Sequence, residues 1–210
     1  MFSIIQAAGW PIWPLLACSV VALALIVERL LSLRPSRIAP ADDLKAGLVI
    51  ARKVSSGGVA PLDLDQLAER SVLGRVLSAG LREGTRSPSP ATGAVREAFE
   101  TAGRAAVHEM ERNLNALGTV ATAAPLMGLL GTVVGMIEIF AAQSPGTLSA
   151  NPQQLAQGIS IALYNTAFGL IVAIPALLVH RYFRGVIEDQ RLALEMAAHQ
   201  VLRLSCPQQP

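Results

Sequence analysis

Tyr164, Asn165 and Thr166 stand side by side in GISIALYNTAFGLIVAIP (158–175), a run without one charged side chain. A further threonine, Thr132, lies in the equally uncharged GLLGTVVGM (128–136). Hydroxyls and a carboxamide can hold water or coordinate an ion, but they do not titrate near neutral pH. No Asp, Glu, Lys or Arg occurs between Leu117 and Ile137 or between Ile159 and Val179. A proton carried past these residues therefore needs a titrating group from another chain. Glu138 is the nearest acid and falls roughly 12 Å from the middle of its apolar stretch, where a solvated carboxylate is the ordinary reading. No nucleophile, base and oxyanion donor converge anywhere, so enzymatic chemistry and a cofactor are not expected.

Composition sets the medium in which these groups work. Of the 210 residues 52% are hydrophobic and 15% charged, which favours a membrane protein over a soluble domain. Aromatics make up only 4%, so helices here must pack through small residues. Cys18 and Cys206 stand apart without ligand spacing, which predicts neither a disulfide framework nor a metal site. A net charge of +2 and the lack of a basic stripe with interleaved aromatics argue against nucleic acid.

Three stretches are long and apolar enough to cross a bilayer of roughly 30 Å: 12–33, 117–142 and 159–183. The first has no preceding Lys or Arg and reads as a retained span rather than a cleaved leader. Every one of the 17 lysines and arginines lies between Arg29 and Arg112 or between Arg181 and Arg203. The positive-inside rule then predicts residues 1–11 and 143–158 outside, with the loop 34–116 and the tail 184–210 in the cytoplasm.

Within the loop, ADDLKAGLVIARKV reads as one helix stopped by SSGG. LDQLAERSVLGRVLSAGLREG reads as a second, stopped by TRSPSP with Pro88 and Pro90. Val95, Ala98, Ala102, Ala106, Met110, Leu114 and Leu117 recur at helical spacing, so one helix is predicted from about residue 91 through the second span. The third span should likewise continue to about Leu204. His108 and His199 on these extensions, and His180 at the membrane edge, read as surface or interfacial side chains.

Gly128, Gly131 and Gly135 leave one flank of the second span nearly bare, and Gly158, Ala162, Thr166, Gly169 and Ala173 form a comparable row in the third. Such rows serve close helix packing. If the spans centre near Leu130 and Leu170, Thr132 and Thr166 lie about 3 and 6 Å outward, at nearly one level. Pro125 and Pro175 both fall about 7 Å toward the cytoplasm, where the two helices can bend together. Asn165 must find a protein or water partner, so a polar-lined interior is expected.

These residues resemble the ExbB/TolQ/MotA proton-channel family, most closely its ExbB branch. The resemblance rests on IVERLLSL at the end of the first span, SVLGRVLSAGL in the loop, APLMGLLGTVVGM in the second span and GISIALYNTAFGLIVAIPALL in the third. It implies an all-α membrane protein of three transmembrane helices, the second and third extended far into the cytoplasm. It further implies a ring-shaped homo-oligomer, a pentamer, in the lipid bilayer of the bacterial inner membrane. The ring would enclose an ExbD-like single-span partner whose aspartate carries the proton, and drive a TonB-like protein.

The resemblance marks Thr132 and Thr166 as pore-lining, with Asn165 and Ile161 beside them. Ile161 departs from the pattern, because relatives resembling GIAEAL have a glutamate there. The proton path then relies on the partner's carboxylate and on water held by the threonines. A TolQ-like or other paralogue serving envelope or motility machinery, a non-conducting scaffold for the partner, and sodium in place of protons all stay open.

Overall fold

The computed structural model describes residues 9–55, 58–86, 91–141 and 152–205, and among them every regular element is a helix. The helices are α1 (Ile12–Ser32), α2 (Pro35–Ile38), α3 (Ala41–Ser55), α4 (Pro61–Arg70), α5 (Val72–Thr85), α6 (Thr92–Ala141) and α7 (Pro152–Ser205). Three of them, α1, α6 and α7, are long and apolar enough to cross a membrane. The single helix expected to run from near residue 91 through the second span is α6, 50 residues without a break. Most of its anticipated stripe is buried: Val95, Ala106, Met110, Leu114 and Leu117.

Two details differ from the sequence expectation. The stretch read as one helix over 64–84 is two, because Ser71 leaves the helical region at φ −159° and caps α5 by accepting a hydrogen bond from Gly74 N at 3.0 Å. A serine side chain competes for backbone donors, so it stops a helix without any Gly or Pro. The connection expected over 143–158 is also shorter, since α7 begins at Pro152, a residue whose fixed φ suits a helix start. The breakers Pro88 and Pro90 and the Cys206 position lie outside the described residues.

By internal packing the chain divides into two units. An apolar unit takes Met1–Glu28 and Asn113–Tyr182, and a polar unit takes Arg29–Arg112 and Phe183–Pro210. In the apolar unit Leu15, Ala124 and Ala173 form a small core with Met127 and Val172 against it. Many of its bulky residues point away from that core: Val20, Leu126, Ile171 and Leu178 are all at least 64% exposed. Small inside and large outside is the inverse of a water-soluble bundle and suits a surrounding of lipid or neighbouring helices.

In the polar unit α3, α4 and α5 pack together around Leu67, Leu77 and Leu81, each almost fully buried. Glycines allow the close contacts: Gly47 lies against Leu77 and Gly80 under the Phe99 ring. On α7, Phe183, Ile187, Leu194, Ala197 and Val201 are buried at three-, four- and seven-residue steps, the apolar stripe of a packed helix.

Arg29 closes the polar unit in a way that its type conceals. Counted with the flanking positive charges in the sequence, it is only 5% exposed and its Nη1 donates to the Met110 carbonyl at 2.7 Å. A charged donor buried on a backbone acceptor contributes about 2 kcal/mol. Arg29→Met is expected to lose about that much in a denaturant titration of the detergent-purified protein. A titration midpoint equal to wild type would show that the bond contributes nothing.

Candidate functional site

The residues singled out by sequence meet where α6 and α7 cross in the apolar unit. A Cβ placed on Gly128 would lie 2.7 Å from the Asn165 carbonyl oxygen, 3.0 Å from Thr166 Cα and 3.3 Å from Gly169 Cα. One placed on Gly169 would lie 2.7 Å from the Ala124 carbonyl oxygen. Backbone meets backbone at this crossing, and only glycine fits on either side. Further along, the Gly131 position faces the Asn165 side chain at 2.7 Å, and the Gly135 position faces Ala162 Cβ at 3.1 Å. Ala173 sits at the other end of the row, in the core with Ala124.

The polar groups divide along this seam. Asn165 is 1% exposed and lies over Gly131, so its carboxamide is held between the helices. Thr166 Oγ1 donates across the seam to the Gly128 carbonyl at 3.2 Å. Thr132 Oγ1 instead donates back to Leu129 O of its own helix at 2.7 Å, the ordinary habit of a threonine in a helix. The two hydroxyls therefore do not share a hydrogen bond. Tyr164 is 42% exposed and stands off the seam that buries its neighbour Asn165. Pro125 and Pro175 both sit inside unbroken helices.

Beyond Asn165 the seam opens into a cleft of about 300 Å³ in which Ile161 and Glu138 face the same space. Glu138 is exposed, in line with a solvated carboxylate, and it also lines this cleft together with Asn165. The signal for that placement is spacing: 128, 131, 135 and 138 continue one row at steps of three and four, so the acid sits on the glycine face. A second placement that sequence reasoning missed is His180. Its Nε2 lies 2.9 Å from where a Gly118 Cβ would be, so the half-buried imidazole lies on a bare patch of α6.

The other two histidines, His108 and His199, line a separate cleft of about 600 Å³ in the polar unit, with Glu111, Arg191 and Glu195. There the Arg191 guanidinium is raised above its ordinary pKa, chiefly by its 3.0 Å hydrogen bond to Glu195 and then by the Glu188 charge. Among the described residues no three His, Cys, Asp or Glu side chains gather as a metal site would require.

Comparison with known proteins bears on the whole chain. The family model described as the MotA/TolQ/ExbB proton channel family matches residues 68–196. The biopolymer transport protein exbB1 of Vibrio cholerae is 32% identical over 174 residues, covering 81% of this chain and 73% of the relative. A protein of Synechocystis named as biopolymer transport protein ExbB-like 3 is 34% identical over 202 residues, covering 93% and 90%. The Tol-Pal system protein TolQ of Haemophilus influenzae is 42% identical over a shorter stretch of 74 residues, 35% of this chain and 32% of that protein.

Proposed function

The chain belongs to the MotA/TolQ/ExbB proton channel family, and from that premise we propose that it is the ring-forming subunit of an ion-driven machine in the bacterial inner membrane. It assembles as a pentamer around an ExbD-like single-span partner whose membrane aspartate carries the proton. Proton flow turns into motion of partner against ring, and a TonB-like protein passes that motion to outer-membrane transport. Residues 1–11 and the connection before α7 face the periplasm, while 34–116 and 184–210 face the cytoplasm, in keeping with the placement of every Lys and Arg.

The observation that carries this reading is the seam itself. Asn165 and Thr166 stand between two apolar helices with no Asp, Glu, Lys, Arg or His for about ten positions on either side in α7. Buried polar groups in a span are costly unless hydrogen-bonded or hydrated, and where they occur they commonly mark a water or ion path. With Thr132 and Ile161 they form the proposed pore wall; these four residues carry no carboxylate, Glu138 lies at the rim, and proton carriage past the wall is the partner's in this reading. Gly128, Gly131, Gly135, Ala162, Gly169 and Ala173 are its packing surface, and Pro125 and Pro175 its bends.

One observation favours a second reading. Because the Thr166 hydroxyl is engaged on the Gly128 carbonyl, a non-conducting scaffold that only holds the partner would also account for it. Flux through the complex separates the two. The chain is co-expressed with an ExbD-like single-span protein, purified and reconstituted in liposomes under an imposed proton gradient. Partner-dependent proton entry is expected; a stable complex without flux supports the scaffold. Substituting a sodium gradient identifies the coupling ion, and native mass measurement counts the subunits. An ExbB-type or TolQ-type role follows from whether a TonB-like or a Tol-type protein co-purifies.

A further inference from the structure

The cleft beyond Asn165 has a composition that helix packing alone does not require. Pro11 just before α1, Glu138 on α6, and Gly158, Ile161, Ala162 and Asn165 on α7 all face it. Its floor is the buried carboxamide of Asn165 over Gly131, and its rim is the exposed carboxylate of Glu138. Among the described residues nothing cationic lines the cleft with that carboxylate: Pro11 and the α7 residues are uncharged, and the other α6 residues are apolar. Had Glu138 pointed to open solvent, this cleft would be wholly apolar but for Asn165.

A carboxylate rim above a carboxamide floor is the donor set for a small monovalent cation. The carboxylate attracts it and binds a proton or ligates sodium, while the amide oxygen or a water on it receives the ion next. Six residues of helix separate Glu138 from Thr132, about 9 Å, a span that two or three waters bridge. We propose that this cleft is the entry vestibule of the ion path, with Glu138 as the collecting group that takes a proton or a sodium ion from the outer aqueous phase and Asn165 as its first inner station. In the proton case, an O–H bond forms on the Glu138 carboxylate as a hydronium gives up its proton. That bond breaks again as the proton passes to cleft water and on to the partner's carboxylate.

The inference rests on the channel reading and on the orientation proposed above, and the test tells their failures apart. Reconstituted complexes of the chain with its partner are compared as wild type, Glu138→Gln, Glu138→Asp and Ile161→Lys, with assembly read by native mass. A proton-collecting carboxylate raises the local supply about tenfold or more where free protons are scarce. Glu138→Gln is therefore expected to slow proton entry about tenfold at an external pH near 7.5, with the deficit closing as the outside is acidified. Glu138→Asp is expected to retain most of the flux. Ile161→Lys, which sets a cation in the same cleft and leaves Glu138 in place, is expected to slow it as well.

If Glu138→Gln and Ile161→Lys conduct like wild type at every external pH while Thr166→Val does not conduct, the vestibule is wrong and the channel reading stands. If the wild-type complex passes no ion, both fall together. A parallel sodium gradient distinguishes the ions: a sodium vestibule shows the Glu138→Gln deficit in sodium entry and no relief on acidification.

Discussion

Thr166→Val is expected to abolish energy transduction by the complex while leaving its assembly and membrane content near wild type. Valine fills nearly the same volume, so the seam between α6 and α7 keeps its shape and only the hydroxyl is removed. In the structure that hydroxyl donates to the Gly128 carbonyl at 3.2 Å. Interhelical hydrogen bonds of this kind in membrane proteins average about 0.6 kcal/mol and reach about 1.7. A loss of that size does not dismantle an interface whose contact is backbone against backbone over Gly128 and Gly169.

If Thr166 lines the ion path, the same substitution replaces a water-holding group with a methyl on its wall. Flux should then fall by well over tenfold, and Thr166→Ser should restore it. Flux and complex content together decide the outcome. Full activity in the valine variant would place the hydroxyl in packing alone and favour the scaffold. Thr132→Val offers a contrast, because its hydroxyl bonds within its own helix and its removal leaves the seam untouched. Any flux lost there comes from the path rather than from packing.

The long elements were legible from the sequence because their signals are long. Three apolar runs and an unbroken stripe from Val95 to Leu117 leave few alternatives to α1, α6 and α7. Single residues whose role depends on a distant partner were harder to read. Ser71 looks like any helix-surface serine until its side chain is seen on Gly74 N. Arg29 looks like a membrane-flanking charge, since its acceptor, the Met110 carbonyl, is 81 positions away.

Glu138 is exposed, as its depth suggests, but depth alone does not reveal the cleft that it faces. Facing depends on the angle around the helix, and the 3-4-3 spacing from Gly128 holds that angle. Asn165 and Thr166 were readable as a polar pair in an apolar span. The sequence does not separate their duties, with Asn165 seated over Gly131 and Thr166 bonded to Gly128, because these follow from the register of two helices.

That register rests on Gly128, where alanine is expected to act far out of proportion to one added methyl. The new Cβ would meet the Asn165 carbonyl oxygen at 2.7 Å and Thr166 Cα at 3.0 Å. Neither is a side chain that can swing aside, so the helices must part. Overpacking of this kind costs about 1 to 3 kcal/mol, and alanine's better helix propensity offsets about 1 of that. Separation of the helices also stretches the Thr166 bond and lifts Asn165 off Gly131, so loss of flux should exceed what the stability change alone predicts.

Gly103 supplies the control. On the same helix a Cβ there meets nothing within 4 Å, and Gly103→Ala is expected to raise stability by up to about 1 kcal/mol with flux unchanged. Gly169→Ala, pressing on the Ala124 carbonyl oxygen from the opposite helix, should reproduce the Gly128→Ala phenotype. Because both substitutions act on one contact, the double variant should be less damaged than the sum of the two. Thermal unfolding in detergent and proton entry in liposomes, measured on all four proteins, read these effects. Wild-type melting and flux in Gly128→Ala would mean that α6 and α7 do not meet at Gly128 in the working complex, and the seam from Ala124 to Glu138 would have to be sought on another pair of faces.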